Sequence, residues 1–166
     1  MSTPSSLIVS NTGPLIALDA CNQLELLRIL FSRIVVPKDV EIELAAGGST
    51  ALHVGLTSKH RTWIEVLPLT SEPSPALLLR LDAGEAAVIT LALEIEADLV
   101  LIDEKLGRKA ARDEGLEVLG SVGLLVRAKK RGLLPEVKSH LVEIQKKIGL
   151  TQRLIEWAII EAGEAP

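Results

Sequence analysis

The chain has 166 residues, 48% of them hydrophobic and 24% charged, with a formal charge of −4 at pH 7. Its length fits one domain, its apolar content excludes a disordered chain, and its acidic balance excludes a generally basic nucleic-acid binder while leaving room for a local basic patch. Phe31, Trp63 and Trp157 are its only aromatic residues, so the core should be aliphatic and stacking platforms for single-stranded bases scarce.

Residues 1–5 read as a loose tail without the basic opening of a signal peptide. Leu7–Ser10 is a continuous apolar run of the kind found in buried parallel strands. Pro14 suits the first turn of a helix over about 14–20. Asn22 can cap a second helix carrying Leu24, Leu27 and Leu30 on one side. A strand is expected at Arg33–Pro37, then a helix over about 39–46 stopped by Gly47. Residues 47–60 read as a loop or irregular helix, and 62–69 as an edge strand closed by Pro68. A short helix is expected at 77–81, a strong one over about 83–97, and a buried strand at 99–103. A helix ended by Gly115, a short strand in EVLG, a helix ending near Gly132 and two more after Pro135 and Thr151 complete the chain. Strands alternating with helices in this way give a parallel sheet covered on both faces, whose ligands sit at the carboxyl ends of the strands.

That rule singles out Asn11 after the first strand, and Asp103 with Glu104 after the strand at 99–103. Glu43 and Glu85 lie on helices beside them in the chain order. Carboxylates converging on one cleft repel, and a hard divalent cation such as Mg²⁺ or Mn²⁺ relieves that repulsion. Each residue also has a local reading. Asp82-x-x-Glu85 matches a capping box, Asp103 can cap the next helix, Asn11 can bond its own backbone, and Glu43 can be an ordinary exposed helix residue.

Lys105, Arg108, Lys109 and Arg112 share one helix face directly after Asp103. Arg127, Lys129, Lys130 and Arg131 form a second basic cluster. A basic surface beside an acidic pocket suits a phosphodiester polymer, and a solvated helix face is the plainer alternative. Zinc ligation by His53 and His60 is not expected, because no Cys or third His stands near them. Gly47-Gly48-Ser49 lacks the GK[ST] of a phosphate loop. Cys21, the single cysteine, excludes an intrachain disulfide and is expected to be a buried or half-buried thiol, consistent with a reducing cytoplasm. No run reaches the ~18 uninterrupted apolar residues of a membrane span. Leu141, Ile144, Ile148, Leu154, Ile155 and Ala158 should give the last helices a core or dimer face.

SNTGPLIAL, VVPKDVEIEL, LDAGEAAVITLAL and LVLIDEKLGRKAA, in that order, resemble the PIN-domain family. More narrowly they resemble its prokaryotic group related to VapC-type toxin nucleases. The likeness runs from about Leu7 to Leu134, and the ending LIEWAIIEAGE is similar to that group too. The resemblance implies a single domain, with a core over 7–134 and a helical extension over 135–166. It implies a three-layer α/β/α fold and a Mg²⁺- or Mn²⁺-dependent ribonuclease site. Asn11, Glu43, Glu85 and Asp103 match the family's acidic positions, Thr12 matches the hydroxyl beside the first, and Glu104 is an auxiliary acid. It further implies RNA as substrate and a small antitoxin partner; a homodimer is expected separately, through an aliphatic interface that low aromatic content does not preclude.

Asn11 departs from the family, which generally carries Asp there. The change keeps a carbonyl oxygen and removes a charge, which should weaken divalent binding. An RNA- or partner-binding protein with little chemistry is therefore the second reading. A phospho-acceptor domain of the receiver sort would need an acidic pair after the first strand, and NTGP has none.

Overall fold

A computed structural model describes residues 6–46 and 56–166. The first half contains β1 (Leu7–Ser10), α1 (Thr12–Ala20), α2 (Glu25–Leu30), β2 (Arg33–Pro37) and α3 (Lys38–Ala46). After a single 3-10 turn at His60–Thr62 come β3 (Ile64–Leu67), α4 (Pro75–Arg80) and α5 (Ala83–Glu94). The chain continues through β4 (Leu99–Leu101), α6 (Lys105–Asp113), β5 (Val118–Leu119), α7 (Ser121–Lys130), α8 (Lys138–Ile148) and α9 (Gln152–Glu161).

The five strands are all parallel, in the order β3-β2-β1-β4-β5. β1 stands in the centre, paired with β2 on one side and β4 on the other. The winding reverses between β1 and β4, so their carboxyl ends flank the switch point at which doubly wound sheets bind ligands. Ser10 pairs with Leu101 there, and the N–H of Asn11 donates to the Leu101 carbonyl at 2.9 Å.

The central strands are covered on both faces, which explains their unbroken apolar runs: Ile8, Val9, Val35, Val36, Val100 and Leu101 are all buried. α5 lies against β1, β2 and β4, with α4 and α6 beside it. It is buried continuously from Gly84 to Ala92 and so has no polar stripe over that stretch. On the other side α1 packs against α7 and α8, and α9 packs against α7. This is the expected α/β/α arrangement, with an aliphatic core. No described helix is long and apolar enough to cross a membrane.

Several expected boundaries shift. α1 opens at Thr12 rather than Pro14, and Pro14 fits because first-turn N–H groups have no intrahelical acceptor. Asn22 does not cap α2; it takes a left-handed φ of 56° that closes α1, a conformation asparagine tolerates better than most residues. The edge strand is trimmed to Ile64–Leu67, because Thr62 and Trp63 belong to the preceding turn and its close. α4 starts earlier, at Pro75, with Ser74 as its cap. α5 ends at Glu94, followed by Glu96 at a φ of 52°. Gly47 as a helix stop, the Gly47-Gly48-Ser49 run and His53 lie outside the described residues.

Cys21 is buried in the core cluster, and burial pushes its thiol up to about 11.

Candidate active site

Asn11, Glu43, Glu85, Asp103 and Glu104 gather at the carboxyl rim, brought there by the end of β1, by α3, by α5 and, for the last two, by the β4–α6 connection. Asn11 directly follows β1 and is buried, and its Oδ1 is a buried oxygen with no hydrogen-bond partner. An orphaned buried amide oxygen costs free energy, so the local reading in which it bonds its own backbone is not what the structure shows. Thr12 opens α1, and its hydroxyl donates to Glu43 Oε2 at 2.6 Å across 31 positions of sequence. Glu43 is therefore a half-buried, anchored carboxylate and not an ordinary exposed residue of α3.

Glu85 is only 8% exposed, near the start of α5. Its capping box with Asp82 is complete: the Glu85 N–H donates to Asp82 Oδ1 at 2.8 Å, and the Asp82 N–H donates to Glu85 Oε2 at 3.3 Å. The cap does not exhaust its role. Burial first, then the negative charges of Asp82, Glu104 and Glu43, hold its carboxyl above the ordinary range. Those like charges are near enough to oppose its ionisation, so the acids share one electrostatic environment.

Asp103 does not cap α6; the cap position is Glu104. Instead Asp103 turns to α7, where the Ser121 N–H donates to Oδ1 at 2.7 Å and the Ser121 hydroxyl lies 2.9 Å from Oδ2. Burial pushes the Asp103 carboxyl up, while the Ser121 hydrogen bonds and the Arg108 charge pull it down. Its seat at the first turn of α7 also favours the anion.

Sequence reasoning missed Ser121 and four glycines. Ser121 stands just beyond the carboxyl end of β5, where the strand-end rule applied to one more strand would have found it. The glycines give the acids room. A methyl group at Gly84 would lie 2.0 Å from Glu43 Oε1, and one at Gly107 would lie 3.0 Å from Glu85 Oε1. One at Gly120 would lie 3.0 Å from Asp103 Oδ1, and one at Gly13 would lie 3.7 Å from Asp103 Oδ2. Their signal in the sequence is adjacency: Gly84 directly precedes Glu85, and Gly13 follows Thr12.

Each carboxylate is nonetheless held by its own partner, Glu43 by Thr12, Glu85 by Asp82 and Asp103 by Ser121. Among the described residues no three His, Cys, Asp or Glu side chains form a ready cluster for a metal ion. The donor chemistry does suit a hard divalent cation: buried carboxylate oxygens under mutual repulsion, and one amide oxygen lacking a donor.

The basic face after Asp103 is divided. Arg108 and Arg112 line a cleft of about 680 Å³ that begins at Asp103 and Glu104. Lys105 is exposed, and Lys109 is bound to Asp113, which Arg80 also contacts. In the second cluster, Lys129 pairs with Glu164 and Lys130 with Glu161, so these two lysines tie the end of the chain to α7.

A doubly wound sheet carrying these acids at its switch point is a nuclease-type fold. The chain belongs to the PIN-domain family: the model of the family DUF3368, described as a PIN domain, matches residues 7–164. The match takes in α8 and most of the chain beyond it, which the first likeness left as an extension. PIN domains generally use divalent metal ions and typically act on RNA. No match was found among curated proteins.

Proposed function

We propose that this protein is a metal-dependent endoribonuclease, the toxin-like component of a toxin–antitoxin pair. The observation that supports it most is the buried, partnerless Asn11 Oδ1 at a rim where Glu85 is held above its ordinary range by burial and by neighbouring acids. Asn11, Glu43, Glu85 and Asp103 would hold Mg²⁺ or Mn²⁺, and Glu104 would act as an auxiliary acid. When bound, such an ion activates water and neutralises charge on a phosphoryl oxygen. The chain's own residues position and balance. Thr12 fixes Glu43, Ser121 orients Asp103, and Arg108 with Arg112 supplies positive charge where a phosphodiester would lie. Lys105 and Lys109, further out on α6, would meet the flanking backbone once Lys109 leaves Asp113. Expected partners are the RNA substrate, a small antitoxin whose basic side chain would enter the acidic rim, and a second copy of the chain. The expected compartment is the cytoplasm.

The test is cleavage of structured RNAs in Mn²⁺ by the wild type and by Asp103→Ala. The wild type should cut and the variant should not; equal cutting by both removes the assignment. The second reading, a binding module, is favoured by the neutral side chain at Asn11. Asn11→Asp separates the two, because a binding module would gain cleavage from none, whereas a nuclease already cuts before the change.

A further inference from the structure

The cleft that begins at Asp103 does not end at α6. Its far wall is the α8–α9 corner, where Ile148, Leu154 and Trp157 face the same space as Arg108 and Arg112. A volume of about 680 Å³ lies within the ~300–1,000 Å³ usual for ligand sites. Trp157 is 46% exposed there, and the other two aromatic residues, Phe31 and Trp63, line a separate cleft. An indole left half in water on a concave wall is a large apolar face without a partner.

We infer that Trp157 is a base-stacking platform for single-stranded RNA, seating a nucleobase beside the acidic rim while Arg108 and Arg112 hold the adjoining phosphates. The inference rests on the nuclease reading above and adds to it the residue that grips a base of the substrate. Charge argues for RNA over an apolar peptide: Arg108 acts on Asp103 at the inner end of the cleft, while Arg112, lining the same cleft, has no ion-pair partner among the described residues, in contrast to Lys109 and Arg80 on Asp113. Stacking accepts any base, and the helix that presents the ring is tied at both ends. Thr151 caps α9 through the Leu154 N–H at 3.3 Å, and the Lys130–Glu161 pair ties its last residue to α7. Beyond the helix, Glu164 accepts from Lys129 Nζ at 2.8 Å and from the Val137 N–H at 2.5 Å. Two lysines of the second basic cluster, Lys129 and Lys130, thus tie the helix that carries the ring and the residues just after it to α7.

The test is binding of a short, fluorescein-labelled, single-stranded RNA of mixed sequence, in EDTA so that no cleavage intrudes. Trp157→Ala should weaken binding about five- to a hundredfold, the range expected for losing one stacked base. Trp157→Phe should keep most of the affinity, and Arg112→Ala should lower the salt dependence by about one counterion. In a Trp63→Phe background the remaining indole emission should be quenched on adding RNA. Unchanged affinity in Trp157→Ala overturns the inference. Quenching that follows protein concentration without RNA also overturns it, by showing a second copy on the ring. If Trp157→Ala binds normally while Asp103→Ala alone loses cleavage, the nuclease reading stands without the platform. If the wild type neither binds nor cuts RNA, both fall.

Discussion

The two rims of the sheet are built on opposite electrostatic terms. At the amino rim, charges are matched. Arg33, opening β2, makes two hydrogen bonds to Glu65 of β3 at 2.7 and 2.8 Å, and Asp98, just before β4, accepts from the Leu7 N–H at 2.8 Å. At the carboxyl rim the carboxylates have hydrogen-bond partners, but acids outnumber the cations that act on them. Glu85 is ringed by other carboxylates, and Asn11 Oδ1 has no donor. Both rims belong to the same five strands, so the difference does not come from the fold. Each rim keeps one buried polar atom without a partner, Trp63 Nε1 before β3 and Asn11 Oδ1 after β1, but only the carboxyl rim adds carboxylates crowded against one another, which marks it as the place for a cationic ligand.

The largest expected effect tests the unmatched rim. Asp103→Asn should remove Mn²⁺-dependent cleavage by more than the ~10–100-fold loss expected for Ser121→Ala, which touches only the group orienting Asp103. Equal losses would mean that Asp103 is itself only a support. Asn11→Asp comes next. It adds a negative charge among acids that already repel, so the melting temperature in EDTA should fall while the rise produced by Mn²⁺ should grow. A variant that is more stable in EDTA would show that the rim is not short of positive charge.

Gly84→Ala separates the site from the fold. The methyl group collides with the Glu43 carboxylate, which can swing aside only by giving up its Thr12 hydrogen bond, a cost offset by alanine's preference for a helix over glycine of up to ~1 kcal/mol. Thermal stability should hold or rise, and Mn²⁺ affinity by calorimetry should fall. Unchanged affinity would mean that Glu43 is not a ligand.

The smallest effect belongs to the matched rim. The Arg33 hydrogen bond and charge hold the Glu65 carboxyl below its ordinary 4.5. The folded state thus binds that proton less tightly than the unfolded chain, so the pair's stabilisation is present above about pH 4.5 and is lost as the pH falls through the lowered value. Urea midpoints should show Glu65→Gln costing about 0.2–1 kcal/mol at neutral pH and nothing in strong acid. A cost that persists in acid would assign the effect to packing.

The strands and the rim positions were legible because both follow from simple rules: buried parallel strands are unbroken apolar runs, and their ligands lie at their carboxyl ends. Asn11, Asp103 and Glu104 came from those rules, while Glu85 is read as an acid in the first turn of a helix. What Glu43 does was not legible, since its anchor Thr12 lies 31 residues away, and neither was the pairing of Asp103 with Ser121, 18 residues on. Local capping patterns gave mixed results. Asp82 and Glu85 form the expected box, but Asn22 closes a helix where it was expected to open one, because its side chain suits both tasks. The division within the basic face was not legible either. Of its four cations, Arg108 and Arg112 line a cleft, Lys105 is exposed and Lys109 is bound to Asp113, which Arg80 of α4 also contacts.

The most direct measurement is anomalous diffraction from crystals soaked in Mn²⁺. The account requires a peak at the carboxyl rim, within coordination distance of oxygens from Asn11, Glu43, Glu85 and Asp103. A rim without a peak in crystals that bind manganese elsewhere would contradict it.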